Sequence, residues 1–224
     1  MSVEKQALVL DFGGVISRTM FETHDITEQA FGLAPGTLTW RGPFDPASDP
    51  LWMDMQADRI TERDYWNTRV AEVSGLFGES WVMSEFVRRA RGDDPISAMR
   101  PEAVKAIEAA AAAGKRLAIL SNELDLFYGE GFTKRFPLLS DFDVVVDATY
   151  TGVLKPDPRA YRYCLDALKL NADQCVFVDD QKRNIVGAER VGMATVHFDV
   201  RDPKASFAIA LQKLGLPAGA LDTQ

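Results

Sequence analysis

The chain has 224 residues, 46% hydrophobic and 26% charged, with a formal net charge of -8. That is enough apolar material for a sizeable core. An acidic surface repels phosphate backbones and argues against a nucleic-acid partner, while no stretch approaches the ~20 consecutive apolar residues of a membrane span.

The segment Met1 to Gln6 places Glu4 before a very short apolar run, which is not the pattern of a secretory leader, so a cytoplasmic protein is expected. Ala7 to Leu10 is an apolar run that reads as a buried parallel strand. It ends at Asp11, and Gly13 and Gly14 follow, where the backbone can turn sharply and approach a ligand. Residues 17–95 contain no repeated strand-helix unit. Helices are expected over 23–31, 49–57, 61–73 and 80–90, with Thr61 and Asp64 spaced as a helix cap. All four tryptophans lie between Trp40 and Trp81, which suggests a helical bundle with its own aromatic core. Gly92 to Pro95 reads as the return linker.

From Met99 the pattern alternates. A helix over 101–113, with Pro101 in its first turn and Gly114 past its end, leads to a strand over Leu117–Leu120. Residues 124–136 read as helical, weakened by Gly129 and Gly131. A short strand at 144–146 precedes a loop, and Asp157 with Pro158 starts a helix whose apolar positions include Tyr161, Cys164, Leu165 and Leu168. Cys175 to Val178 is a second buried strand, followed by a helix over 184–191, a strand over 194–198 and a closing helix over 202–214. Cys164 and Cys175 have neither CxxC nor zinc spacing and read as buried small hydrophobes. The expected architecture is α/β: a parallel sheet core, residues 1–16 and 96–224, with a helical cap, residues 17–95, inserted after the first strand.

Three expected strands end in polar residues: Asp11, Ser121-Asn122 and Asp179-Asp180. In a parallel sheet these endings converge on one edge, the usual ligand edge of such folds. Lys155 precedes a helix start and is a fourth candidate. The residue types suit phosphoryl transfer. An ionised Asp11 can attack phosphorus, Lys155 and the Ser121 hydroxyl can meet the charged oxygens, and Asp11, Asp180 and the Gly13 carbonyl offer hard oxygens to Mg²⁺. Asp179 suits a role in orienting metal-bound water or Lys155.

With those residues in place, the sequence resembles the haloacid dehalogenase-like hydrolases with a helical cap of the first type, over almost the whole chain. Asp11 to Val15, Ser121-Asn122, Lys155 to Pro158 and Val178 to Asn184 match the family's four motifs in order. The resemblance implies a Rossmann-like core, a nucleophilic Asp11 and Mg²⁺ held by Asp11, the Gly13 carbonyl and Asp180. It also implies phosphate contacts from Ser121, Asn122, Lys155 and the Gly14 turn, with Asn184 as polar support for the metal. In the family's phosphatases a second Asp, two positions after the nucleophile, protonates the leaving group; here that position is Gly13. The expected function is a Mg²⁺-dependent phosphatase of a small phosphorylated metabolite, working through an aspartyl-phosphate, with Gly13 in place of the second Asp; an anomeric or acyl phosphate needs that proton less than an alkyl phosphate does. His24, Asp25 and Glu123 are candidates for a replacement acid by polarity alone. The alternatives are a 2-haloacid dehalogenase and a non-catalytic binding or regulatory protein. Dehalogenases of the family need no metal and tend to lack paired carboxylates in the fourth motif, so Asp179-Asp180 argues against the first alternative. Oligomeric state is not legible.

Overall fold

The computed structural model describes residues 3–92 and 98–221. The tail of the expected return linker, Asp93 to Pro95, lies outside the described residues. Five strands form one all-parallel sheet: β1 (Ala7–Leu10), β2 (Arg116–Ser121), β3 (Val144–Asp147), β4 (Cys175–Asp179) and β5 (Ala194–His197), in the order β3-β2-β1-β4-β5. Every residue of β1 and of β4 is buried. Both strands sit inside the sheet under helices, so neither shows the polar alternation of a half-exposed strand. β3 is an edge strand, and Val145 on it is 36% exposed. The fold class is the α/β, Rossmann-like one read from the sequence. The chain divides into two compact units.

The first excursion from the sheet, residues 19–98, builds the helical unit. It holds α1 (His24–Phe31), α2 (Pro50–Gln56), α3 (Glu62–Gly75) and α4 (Met83–Arg91). Local chemistry starts two of these helices. The Asp49 side chain accepts from Trp52 N–H at 3.0 Å ahead of Pro50. Thr61 and Asp64 form the expected reciprocal cap, Asp64 N–H donating to Thr61 Oγ1 at 3.1 Å and Thr61 N–H to Asp64 Oδ2 at 3.0 Å. The core is aromatic. Phe21, Trp40, Trp52, Tyr65 and Trp66 are buried, with Phe21 edge-on to Trp40 and Trp52 at 5.5 and 5.3 Å. A buried ion pair anchors it: Asp49, fully buried, accepts from Arg69 and from Tyr65 Oη at 2.8 Å.

His24 lies in this core, 5% exposed and edge-on to Trp40 with ring centroids 4.2 Å apart. Neither ring nitrogen has a hydrogen-bond partner among the described residues. Burial, helped by Arg41 and opposed by Glu28, Asp25 and Asp49, pushes its pKa from 6.5 down to about 4. Between those two values the unfolded chain binds a proton that the folded chain refuses, so stability falls as pH falls through that window. The loss by pH 5 should be about 2 kcal/mol, read as a lower melting temperature at pH 5 than at pH 7. Glu28 adds to the loss only below its usual range. Burial would raise its pKa, but the N–H groups of Leu38 and Gly36 outweigh burial and lower it. His24→Phe should remove most of the pH 7-to-5 difference; an unchanged difference would contradict this account.

In the sheet unit, α5 (Pro101–Ala112) leads into β2. The helix expected over 124–136 is instead two short ones, α6 (Leu124–Tyr128) and α7 (Phe132–Arg135). Gly129 and Gly131 between them have φ of 85° and 74°, a conformation that no right-handed helix contains. Residues 125–132, expected in the core, group with the helical unit, where Leu126, Phe127 and Tyr128 pack on its aromatic cluster. The four-residue helix α8 (Ala148–Thr151) was not foreseen; Asp147 caps it at 2.9 Å, and Gly152, in the left-handed conformation, ends it. The remaining helices are α9 (Pro158–Leu168), α10 (Lys182–Arg190) and α11 (Pro203–Lys213). One sheet face, with Ala7, Val9, Ala118 and Phe177, packs on Tyr161, Cys164 and Leu168 of α9 and on Ile185 and Ala188 of α10. Both cysteines are free and buried, and burial pushes the Cys164 thiol up to about 12 and that of Cys175 to about 11. No helix among the described residues is long and apolar enough to cross a membrane.

Candidate active site

The strand order puts β1 between β2 and β4, so three carboxyl ends lie side by side. Asp11 follows β1 directly and is 6% exposed, its N–H donating to the Val178 carbonyl at 2.9 Å. Asp179 ends β4 and is completely buried. Lys155 comes from the loop ahead of α9 and is 1% exposed. Its Nζ lies 2.9 Å from Asp11 Oδ1 and 2.7 Å from Asp179 Oδ2. Burial alone would push this ammonium down, but the Asp11 and Asp179 carboxylates reverse that and hold it well above the ordinary lysine range. It is charged at any working pH.

Asp179 spends its oxygens inside the protein. Oδ1 accepts from Gln181 N–H at 2.8 Å, and Asn184 Nδ2 donates to Oδ1 and Oδ2 at 3.0 and 3.1 Å. Asn184 starts the inner face of α10 and is itself held from below, its carbonyl accepting from Tyr161 Oη at 2.7 Å. The Asn122 carboxamide is likewise engaged at both ends. Its Oδ1 accepts from Lys155 N–H at 2.7 Å, and its Nδ2 donates to Lys155 O at 3.3 Å. Asn122 thus fixes the backbone that aims Lys155. Ser121 ends β2, and its Oγ accepts from Glu123 N–H at 3.4 Å, leaving its proton for another acceptor.

One carboxylate oxygen each from Asp11, Asp179 and Asp180 lies within 4.8 Å of the others. Three carboxylates gathered this closely repel one another, a repulsion that a divalent cation held by them would offset. A second observation agrees with a cation and its water. Asn184 Oδ1 is buried without a hydrogen-bond partner among the described residues, although an acceptor so placed normally finds one. The Asp11, Asp179 and Asp180 carboxylates therefore fit a divalent cation such as Mg²⁺.

The glycine turn explains its own composition at one position. Gly14 has a φ of 84°, and a Cβ there would lie 2.6 Å from Asp180 Oδ2. Only glycine lets Asp180 approach β1 so closely. Gly13 is different: it is exposed, has no positive φ, and a Cβ built on it meets nothing within 4 Å. The missing acid is an absence of side chain, not an absence of room.

Asp11, Lys155, Asp179 and Asp180 thus come together, with Asn184 and Asn122 one contact behind. Of the residues named as replacement acids, His24 is neutral near pH 7 because of its lowered pKa. It and the exposed Asp25 belong to the helical unit, while Glu123 is buried just after β2. Two residues escaped sequence reasoning. Gln181 caps the Asp179 carboxylate through its backbone, and Arg100 donates from Nε to the Gly14 carbonyl at 3.1 Å. The partner of Arg100 is 86 positions away, and no local pattern marks it.

A family model described as haloacid dehalogenase-like hydrolase matches residues 5–192, and the chain belongs to that family. Among curated proteins it is 35% identical over 123 residues to mouse acyl-CoA dehydrogenase family member 10, covering 52% of this chain and 11% of that protein. It is 33% identical over 93 residues to Phosphatase MT3486 of Mycobacterium tuberculosis, covering 42% of this chain and 43% of that one. The match thus spans less than half the length of these curated relatives. Among solved structures, L-2-haloacid dehalogenase from Xanthobacter autotrophicus has a TM-score of 0.58 at 20% identity, over 87% of this chain and 77% of that one. At that identity the likeness is one of fold.

Proposed function

We propose that this protein is a Mg²⁺-dependent phosphatase that transfers the phosphoryl group of a small phosphorylated metabolite to Asp11 and then to water. The observation that carries the reading is the placement of Lys155, buried and bonded to both Asp11 and Asp179 beside a third carboxylate. Relatives named as phosphatases support the same reaction class.

In the first step Asp11 attacks phosphorus, the bond to the leaving oxygen breaks, and an aspartyl-phosphate forms. In the second, water attacks phosphorus and frees the Asp11 carboxylate with inorganic phosphate. Lys155 neutralises charge on the phosphoryl oxygens, and the Ser121 hydroxyl donates to another. Asn122 acts through Lys155 rather than on phosphate. The Gly14 turn serves by admitting Asp180 and by backbone approach. Asp179, held by Asn184, keeps the ammonium in place, and the two would orient water on a bound cation. Mg²⁺, held by Asp11, Asp180 and the Gly13 carbonyl, would offset repulsion between the nucleophile and an anionic substrate.

With Gly13 in place of an acid, the leaving oxygen departs without a proton from that position. This favours leaving groups of low basicity, such as the anomeric oxygen of a sugar 1-phosphate or the carboxylate of an acyl phosphate. General acid catalysis is worth ~10²–10⁴-fold, so alkyl phosphates should be turned over more slowly by about that factor. A phosphate-release panel with Mg²⁺ tests the reading. Release from good leaving groups, abolished by chelation, is the expected result; silence across the panel from folded protein that binds Mg²⁺ would favour a non-catalytic role. A dehalogenase would work without Mg²⁺ on a 2-haloacid, which the same panel can include. Because position 13 has open space, Gly13→Asp should raise alkyl phosphate turnover roughly 10²-fold relative to sugar 1-phosphates. An unchanged ratio would contradict the role given to this position.

A further inference from the structure

The cation site depends on how one glycine is held. Gly14, at φ 84°, sets both the approach of Asp180 and the plane of the Gly13–Gly14 peptide, whose carbonyl is an expected metal oxygen. Glycine populates either hand of φ readily and does not fix itself there. Arg100 supplies a restraint. It is 4% exposed, and its Nε donates to the Gly14 carbonyl at 3.1 Å, a charge-assisted bond to the residue whose conformation matters. Its guanidinium carbon sits 5.5 Å from the centroid of the Phe198 ring, and Phe198 N–H donates to the Asp179 carbonyl at 2.9 Å.

The backbone of Arg100 grips the same loop. Its N–H donates to the Ile16 carbonyl at 3.0 Å, next to an antiparallel bridge between Ser17 and Met99. The loop itself is a tight turn, with Ile16 and Ser17 N–H both donating to the Phe12 carbonyl, at 3.0 and 2.9 Å. With the chain pinned at Phe12, at Ile16 and at the Gly14 carbonyl, the Gly13–Gly14 peptide is restrained on both sides.

We propose that Arg100 is a positioning residue for the divalent cation, acting through the Gly14 carbonyl to hold the Gly13 carbonyl and the Asp180 carboxylate in binding geometry. The inference rests on the Mg²⁺-dependent reading above and assigns a part of that site to a residue outside its motifs. Removing the guanidinium should loosen the cation site without touching a ligand, and loss of such supporting contacts typically weakens metal binding about 10–100-fold.

The test is Mg²⁺ alone titrated calorimetrically into the full chain, as wild type, Arg100→Met, Arg100→Gln and Leu214→Ala. Leu214 is buried after α11, so its truncation loses stability without altering the loop. Both Arg100 variants should fold, by circular dichroism and a cooperative melt, and bind Mg²⁺ about 10–100-fold more weakly, while Leu214→Ala keeps wild-type affinity. Wild-type affinity in a folded Arg100 variant overturns the proposal and leaves the cation reading standing. An equal loss in Leu214→Ala also overturns it, by making the effect one of general stability. A wild type that binds no Mg²⁺ overturns the cation reading and the proposal together. Should Arg100→Met not fold, Arg100→Gln decides by the same criterion.

Discussion

Asp11→Asn is expected to lower phosphate release by at least about 10⁴-fold while leaving the fold intact, because the carboxamide cannot form the acyl phosphate on which both steps depend. The fold should survive for a reason visible in the site. Lys155 keeps its 2.7 Å bond to Asp179, and an Asn oxygen can still accept at the position of Asp11 Oδ1. The strand beneath, β1, is buried and paired on both sides, and its packing does not involve the reacting oxygen. The check is a paired measurement of kcat on a sugar 1-phosphate and of the melting temperature. A variant that melts like wild type and retains a tenth of its activity would remove Asp11 from the role of nucleophile.

Lys155→Met is expected to be the more damaging change to stability, by about 3–5 kcal/mol at neutral pH. Lys155 is the cation against which Asp11 and the fully buried Asp179 are set. Removing one partner of a buried ion pair costs more than the pair contributes, because the charges left behind have lost their solvation. In the wild type the two carboxylates hold the ammonium above the ordinary lysine range, so its stabilisation is present at neutral pH and is lost only at strongly alkaline pH. Denaturant unfolding at pH 7 reads the deficit, and a variant as stable as wild type would contradict the role given to this ion pair. Activity should fall as well, since Asp11 would lose the group that neutralises the phosphoryl oxygens.

The residues that define the site were legible because each ends a strand in a chain whose strands alternate with helices. Asp11, Ser121 and Asp179 are marked by where an apolar run stops, and a parallel sheet carries such endings to one edge. What could not be read is how those residues are held. Asn122 turned out to clasp the Lys155 backbone, 33 positions away, and Arg100 to clasp Gly14. Both contacts are made by tertiary packing between segments that have no periodic relation in sequence. The same limit explains His24. A histidine in a helix beside polar neighbours is a candidate acid by polarity alone, and only the packing of Trp40 and Phe21 against it makes it a buried, neutral ring. The split of the helix over 124–136 lies at the other extreme. Its cause, positive φ at Gly129 and Gly131, is local and was already a warning in the sequence.

The measurement that bears most directly on the phosphatase reading is the capture of phosphoryl-enzyme. Protein turning over a sugar 1-phosphate with Mg²⁺ would be acid-quenched, digested and analysed by mass spectrometry. The account predicts one added phosphoryl group on the peptide carrying Asp11, absent after chelation of Mg²⁺ and absent from Asp11→Asn. Steady phosphate release with the added group on another residue, or with Asp11→Asn releasing phosphate as fast as wild type, would contradict it.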